Sequence, residues 1–439
     1  MSEFETLIIS QRIELVANNK AKTHFRKAFG CARLAYNWGL AKWKEYYEQG
    51  VKKSHLDLKK EFNAIKKEQF PFVYEVSKYA VQQPFLHLNL AFQKFFRDLK
   101  KGKISYPQFK KKSNHSGSFY IGGDQVVLGD SNQNSKKFQP KNSNKQYLKI
   151  PNLGWVKMRE RIKYNGKINS VTISQQCDKF YASFSIEINQ EEYNKTHKPA
   201  QYNDLGIGID IGLKSFAILS NGLGINAPKP LDKFARMVKR KSRQLSKKQH
   251  PKTKGDVTKK SANYLKASRK LNNVHRRIRN IRNDFLHKLT SCLIRHFDYI
   301  SLEDLNVSGM MKNHRLAKAI SDVSFYEFRR MLEYKAGYNH KTIVTADRFF
   351  ASSKTCSQCG SLKKNLTLKD RTYICDNCGT VLDRDLNASI NLYQQIKEQI
   401  GEVLAEFTPA DLTALQDDLA INHLATSKVE TGIQQKFYC

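Results

Sequence analysis

Cys356-Ser-Gln-Cys359, Cys375-Asp-Asn-Cys378 and the run Asp383-Arg-Asp-Leu-Asn-Ala-Ser389 form the stretch whose reading decides the fold. Fifteen residues, 360–374, separate the inner cysteines. Two CxxC pairs at that separation match a tetrahedral four-thiolate zinc site, with each short loop presenting two sulfurs from one turn. The insert is polar and rich in Lys and Thr, as expected of a hairpin held by metal rather than by a core. The competing reading is two unrelated pairs or disulfides, which suits a small secreted scaffold poorly matched by this chain. Just after the last cysteine, Asp383 and Asp385 stand at the entrance of an expected helix marked by Ala388, Ile390 and Leu392.

The chain has 439 residues and a formal charge of +36, from 76 Lys+Arg against 40 Asp+Glu. Its length allows two or three domains with true cores. Its charge calls for a densely anionic partner, most simply nucleic acid. No apolar run approaches the roughly 18 residues of a membrane span, so no membrane partner is expected. No signal peptide is read at Met-Ser-Glu-Phe-Glu-Thr. Cys31, Cys177, Cys292 and Cys439 lack metal-ligand spacing and read as reduced thiols of a cytoplasmic protein, acting at the nucleoid.

Outward from the ribbon, the first half alternates β and helical patterns. A strand is expected at 7–15. Helices follow: one carries Phe25, Phe29, Tyr36 and Trp43, another covers 55–67, and a third covers 73–99. The aromatic stripe of the third (Tyr79, Phe85, Leu88, Phe92, Phe95) has helical spacing, which favours core packing over base stacking. After a lysine-rich linker at 100–112, strands are expected near 119–121, 126–128, 147–150 and 156–158, with a loop at 129–146. Residues 171–173 and 180–184 read as a hairpin. The first half is thus a small β domain, expected to be barrel-like, interrupted by a helical insertion.

A polar linker at 188–204 precedes Gly206-Ile-Gly-Ile-Asp210-Ile-Gly212. An aspartate inside so apolar a strand is costly to bury unless a cation compensates it, although pairing with a lysine at a strand end is the alternative. The glycines would admit another backbone or a substrate phosphate. From 231 to 285 there are 19 Lys+Arg and 3 acids, with regular apolar positions between them. A pair of basic helices is expected, either a solvated face or, given the imbalance, a phosphate-tracking surface carrying Lys241, Arg243, Arg276, Arg277 and Arg279. Phe297–Leu305 reads as a short buried strand ending in Glu303. A helical region at 306–338 and a strand at 342–345 lead to the ribbon. The last 39 residues, 401–439, hold six acids and two lysines and read as a peripheral, flexible tail.

Asp210, Glu303 and Asp385 each end an apolar strand or start a helix. Brought to one sheet, they would make a site for two Mg²⁺ ions about 3.5–4 Å apart, suited to in-line phosphodiester displacement. No Ser–His–Asp set and no phosphate loop ending in Gly-Lys-Ser/Thr competes with them.

Gly-Ile-Asp-Ile-Gly (208–212), Leu-Glu-Asp-Leu (302–305), the double CxxC ribbon and Asp-Arg-Asp-Leu-Asn-Ala-Ser (383–389) together resemble the TnpB family in content, order and spacing. These are transposon-encoded, RNA-guided DNA nucleases related to compact type V CRISPR effectors. The resemblance covers about 205–395, with weaker support from Phe-Gly-Cys-Ala-Arg-Leu-Ala-Tyr-Asn-Trp (29–38) and Tyr-Pro-Gln-Phe-Lys (106–110).

It implies an α+β multidomain chain with an RNase H-like, RuvC-type nuclease domain at 205–345 and 380–398 and an inserted zinc ribbon at 346–379. It further implies a wedge-like β domain at 1–20 and 100–190, with a recognition insertion at 21–99. These would hold a guide RNA from the transposon end and read a short motif beside double-stranded target DNA. Asp210, Glu303 and Asp385 would be the nuclease acids, with Asp383 a neighbour, and Ser389 stands where the family often has Ala. The motifs leave open a miniature type V CRISPR effector, a strand-joining transposase and a non-cleaving RNA-guided regulator.

Overall fold

The computed structural model describes residues 6–112, 116–129, 146–197, 203–253, 256–367, 370–401 and 404–428. Most of the loop expected at 129–146, and the end of the chain with Cys439, lie outside the described residues. Two compact units are present, Met1–His197 and Lys198–Cys439.

The first unit runs β1 (Thr6–Val16), α1 (Asn19–Glu48), α2 (His55–Gln69), α3 (Lys78–Leu99), β2 (Ser116–Gly122), β3 (Val127–Gly129), β4 (Tyr147–Ile150), β5 (Gly154–Met158), β6 (Lys167–Gln176), β7 (Lys179–Asn189) and α4 (Gln190–Thr196). β7 alternates strictly, sending Phe180, Ala182, Phe184, Ile186 and Ile188 inward. It pairs antiparallel with β1 from Thr6↔Asn189 to Leu15↔Phe180. The β6–β7 hairpin closes on Gln176↔Lys179, and Cys177 takes the left-handed conformation a two-residue turn requires (φ 59°).

Helices α1–α3 cover this sheet. Phe25 meets Phe180 at 5.3 Å between ring centroids, and Phe29 meets Phe119 at 5.9 Å. The α3 residues Phe85, Leu88 and Phe92 are buried, so that stripe is core. α3 starts later than the expected 73, because Pro71–Glu75 form a 3-10 turn and the Ser77 hydroxyl accepts from the Tyr79 amide as a cap.

The expected barrel is corrected here. The strand order β2-β6-β7-β1-β5-β4-β3 is an open sheet, with β2 and β3 as its two edges. These edges are consecutive in the chain, joined through a 3-10 turn at Gly123–Gln125. That turn is pressed onto β6, since a Cβ on Gly123 would lie 2.4 Å from the Ile168 carbonyl. The sheet therefore curls, but the chain crosses from edge to edge in a turn that makes no ladder hydrogen bonds.

The second unit contains β8 (Gly206–Ile211), β9 (Ala217–Leu219), β10 (Leu223–Ile225), α5 (Pro230–Lys233), α6 (Ala235–Ser246), α7 (Ala262–His296), β11 (Tyr299–Glu303), α8 (Val307–Met310), α9 (Ala317–Val323), α10 (Phe325–Tyr338), β12 (Thr342–Ala346), β13 (Thr372–Ile374), β14 (Val381–Asp383), α11 (Arg384–Ile400), α12 (Pro409–Ile421) and β15 (Thr426–Lys428). Its main sheet has the order β12-β11-β8-β9-β10-β15. β12, β11 and β8 are parallel, while β9, β10 and β15 continue antiparallel. One sheet face presents Ile207, Ile209, Ile300 and Leu302 to a core shared with Leu286, Leu289 and Leu293 of α7. At the start of β11 and β12, buried Lys341 pairs with Asp298, whose other oxygen accepts the Asn203 amide at 2.9 Å.

The tail also departs from expectation. Among its described residues, α12 buries Leu415 and Leu419 completely in the main core, and β15 pairs with edge strand β10. Arg295 of α7 holds Asp418 at 2.5 Å. Net acidity concealed an apolar helix face that needs the core for burial. Leu419→Ala should therefore cost about 2–5 kcal/mol in denaturant unfolding of the second unit; a loss below about 0.5 kcal/mol, the range of surface substitutions, would place α12 outside the cooperative fold.

Candidate metal and nucleic-acid sites

The opposite face of the same sheet carries the acids. Parallel pairing aligns Tyr299 with Gly206, Ser301 with Gly208 and Leu302 with Ile209, so Glu303 and Asp210 fall in neighbouring positions on one face. α11 lies on this face. A Cβ on Gly208 would sit 2.0 Å from the Ser389 carbonyl and 2.4 Å from the Tyr393 amide. Gly208 therefore admits a helix backbone, one of the two possibilities raised by the sequence. The approach delivers Asp385, in the first turn of α11, to the other two acids.

Asp383 is the cap of α11: its Oδ1 accepts from the Asp385 amide at 2.9 Å and from the Leu386 amide at 3.1 Å. Asp210 is held well above the usual carboxylate range, first by burial, then by the charges of Glu303 and Asp385, with Arg384 opposing. Such crowding of like charges is what a bound divalent cation relieves, and hard carboxylate oxygens suit Mg²⁺. Two arginines that sequence reasoning passed over border the site. Arg371 Nη1 and Arg384 Nε each lie 3.5 Å from Asp385. Arg384 is adjacent in the quoted motif, but Arg371 belongs to the ribbon insert and nothing in its spacing marks it.

The four cysteines converge as expected. Their sulfurs lie within 4.8 Å of one another, with Cys356–Cys378 at 3.7 Å and Cys359–Cys375 at 3.6 Å. Tetrahedral zinc with bonds of about 2.3 Å requires sulfurs about 3.8 Å apart. The residues fit the ion. Both knuckles share one turn: the Gly360 amide reaches the Cys356 carbonyl and the Gly379 amide reaches that of Cys375, at φ 74° and 72°. A glycine directly after each CxxC was the sequence signal for this symmetry. Among the described residues, the ribbon's own core cluster is Cys356, Tyr373 and Cys375 with Leu366 beside them, too small to hold it without metal.

A second trio, Cys292, His296 and Asp418, also has ligand-type atoms within 4.8 Å of one another. There Asp418 is already engaged by Arg295 at 2.5 Å and His296 at 3.3 Å, an ion-pair network tying α12 to α7.

The basic residues predicted to track phosphate lie on two packed helices. Lys241 and Arg243 are on α6, and Arg276, Arg277 and Arg279 are on α7. Arg243, Arg277 and Arg279 are exposed, and the Arg277 guanidinium lies 5.0 Å from the Phe234 ring centroid.

The first unit holds a cleft of about 530 Å³ between α1, α3 and strands β2 and β6. Arg33, His87, Lys110 and Lys111 line it with Gln83 and Gln175, and among the described residues its lining includes no Asp or Glu. Asn37 clamps the linker there, donating to the Lys110 carbonyl at 3.0 Å and accepting its amide at 2.8 Å. Burial lowers the pKa of the Lys110 ammonium, and burial together with Lys110 lowers that of His87. An anion entering the cleft would relieve both. Sequence reading treated 100–112 as a linker and missed this cleft, which exists only where the insertion meets the sheet.

An acid whose folded pKa exceeds its unfolded value binds its proton more tightly when folded. Metal-free protein therefore loses stability as pH rises from about 4, the ordinary aspartate value, through the raised pKa of Asp210. Asp210→Asn removes this repulsion. In chelator the variant should melt at or above wild type, with the gap widening between about pH 5 and about pH 8, and it should lose the stabilisation by Mg²⁺. Equal Mg²⁺ stabilisation of both proteins in thermal melts would contradict the assignment.

The chain is similar to several known proteins. Residues 325–392 match the family description "Cas12f1-like, TNB domain", 183–314 match "Probable transposase", and 8–52 match "Helix-turn-helix domain". In this structure 8–52 is strand β1 and the single long helix α1. A protein of Streptomyces pristinaespiralis described as "Putative RNA-guided DNA endonuclease" is 33% identical over 371 residues, 83% of this chain and 84% of the relative. A relative of Escherichia coli (strain K12), "Putative RNA-guided DNA endonuclease InsQ", is 27% identical over 401 residues, 87% of this chain and 90% of its own. "TnpB-like protein L79" of Acanthamoeba polyphaga mimivirus is 30% identical over 192 residues, 42% of this chain and 36% of its own. With a relative a third identical across most of both chains, and the acids and cysteines gathered as described, the chain belongs to the TnpB family of RNA-guided DNA endonucleases.

Proposed function

We propose that this protein is the RNA-guided DNA endonuclease of an insertion-sequence element, cutting target DNA beside a short recognition motif. The observation that carries the reading is the meeting of Asp210, Glu303 and Asp385 on one face of the second unit's sheet, with Asp210 electrostatically strained by the other two. The order β10-β9-β8-β11-β12, antiparallel on one side and parallel on the other, supports an RNase H-like, RuvC-type domain.

Two Mg²⁺ ions held by these acids would supply a water of lowered pKa and neutralise charge on the scissile phosphate. The protein's part is to gather and orient the three carboxylates. Binding a cation displaces the proton that Asp210 otherwise favours, so a metal-loaded site forms more readily as pH rises. Arg371 and Arg384, beside Asp385, offer guanidinium donors to phosphate oxygens. Zn²⁺ at Cys356, Cys359, Cys375 and Cys378 supplies the ribbon's rigidity.

Target choice rests on base pairing with a guide RNA, the protein gripping backbones. Lys241, Arg243, Arg276, Arg277 and Arg279 serve that grip on α6 and α7. The cleft of the first unit, with Arg33 and Lys110, serves the flanking duplex, where phosphate contacts set register and the Gln83 amide is available to a base edge. The match to a Cas12f1-like domain keeps a miniature type V CRISPR effector as the second reading, which differs in the source of the guide.

The protein should be purified from its native locus and its bound nucleic acid sequenced. A discrete RNA overlapping the gene's 3′ end is expected, and changing its guide should redirect cleavage of double-stranded DNA. Asp385→Ala should keep the RNA and lose cutting. An array-derived RNA would move the protein to the second reading, and heterogeneous fragments or none would sink RNA guidance. Arg33→Ala with Lys110→Ala should weaken binding of the flanking duplex, lowering the salt dependence of binding by up to about two phosphate contacts; unchanged salt dependence would remove the cleft from the DNA path.

A further inference from the structure

The segment joining β12 to the first cysteine knuckle is bonded on both sides to elements that carry acids. On one side, the hydroxyl of buried Ser352 donates to Glu303 Oε1. The residue that follows β11, Asp304, holds the same segment through Arg348 and is braced by Arg329 at 2.8 Å. On the other side, Asn387, Asn391 and Gln394 form a stripe of α11 at helical spacing. Asn391 Nδ2 donates to the carbonyls of Ser352 at 2.6 Å and Thr355 at 2.7 Å. Asn387 donates to the Thr355 carbonyl at 2.7 Å and accepts the Ser357 amide at 2.9 Å, and Gln394 donates to the Ser357 carbonyl at 2.8 Å. Asn387 is wholly buried and Asn391 is 2% exposed. Two buried amides committed to one stretch of main chain fix it closely. The ribbon's other strand, β14, pairs Asp383 with Thr372 and runs directly into the cap of α11.

We propose that Ser352 is a positioning residue for Glu303, and that the zinc ribbon, through the clamped segment 352–357, sets the orientation in which that carboxylate meets divalent metal. The inference rests on the nuclease reading of the three acids. A hydroxyl donating to one carboxylate oxygen fixes the side-chain rotamer and leaves the remaining lone pairs aimed at the cation; losing such an outer partner typically costs about 10–100-fold in metal affinity or activity. The Ser352 hydroxyl bonds to the carboxylate of Glu303. It acts through Glu303 alone.

The test uses the full-length protein with its bound RNA and compares wild type, Ser352→Ala, Ser352→Thr and Asp210→Asn. Mn²⁺ affinity is read without DNA from the electron paramagnetic resonance signal of free Mn²⁺, and the Mg²⁺ midpoint of cleavage is read separately. Zinc content and thermal midpoint are measured alongside. Ser352→Ala should weaken Mn²⁺ binding about tenfold and raise the Mg²⁺ midpoint by a similar factor, with zinc and melting unchanged, while Ser352→Thr recovers both. Should Ser352→Ala lose zinc or melt early, Ser352→Cys, of similar volume and a weak donor, carries the comparison with the same expected direction.

Wild-type Mn²⁺ affinity and Mg²⁺ midpoint in the variant lacking the hydroxyl would overturn the positioning role while cleavage continues. Mn²⁺ binding untouched by Asp210→Asn, or a wild type that never cuts, would instead strike the nuclease reading beneath it.

Discussion

The close seating of α11 on β8 is the contact on which the rest of the second unit depends. A helix can approach a strand to backbone distance only where side chains are absent, and Gly208 supplies that absence, while Gly206 makes room for the side chains of Tyr393 and Ile396. The same approach brings the helix N-terminus, with Asp385, over the strand ends that carry Asp210 and Glu303. Any side chain at 208 would have to displace the helix, and with it one of the three acids. The core on the opposite sheet face, packed by Ile207, Ile209, Ile300 and Leu302 against α7, fixes the strands that receive the helix.

Three carboxylates in that space repel one another, and the fold bears the cost before any ion arrives. Asp210 shows it as a raised affinity for its proton. Stability is found elsewhere: in the aliphatic core and in α12, which closes the core late in the chain, while the buried Lys341–Asp298 pair stands at the far ends of the strands. Buried ion pairs of this kind add little net stability but penalise misregistered strands. The ribbon, in turn, trades a core for a metal, and its entrance and exit both bond to the elements that carry the acids.

In the first unit, helical spacing was a sufficient guide. The aromatic stripe of α3 is core because residues three and four apart share a face, and α1 and α2 supply the opposing Trp38, Trp43 and Phe62. Curl was legible, since short strands alternate through 116–189, but closure was not. Whether the edges bond depends on the path of residues 123–126, which contact with β6 decides.

What the sequence determined by itself is the chemistry that local spacing encodes. Two CxxC pairs can converge on one ion because each is a single turn. Asp210, Glu303 and Asp385 could be singled out because a carboxylate beside apolar strand residues needs a reason to be there. What only the tertiary structure decided are contacts between segments far apart in the chain. Ser352 on Glu303, Arg371 beside Asp385, the cleft around Lys110 and the burial of Leu415 and Leu419 all depend on neighbours that no local pattern names. The acidic tail illustrates the reason. Charge is a property of a segment, but burial is a property of what lies opposite, and what lies opposite α12 is α7, far earlier in the chain.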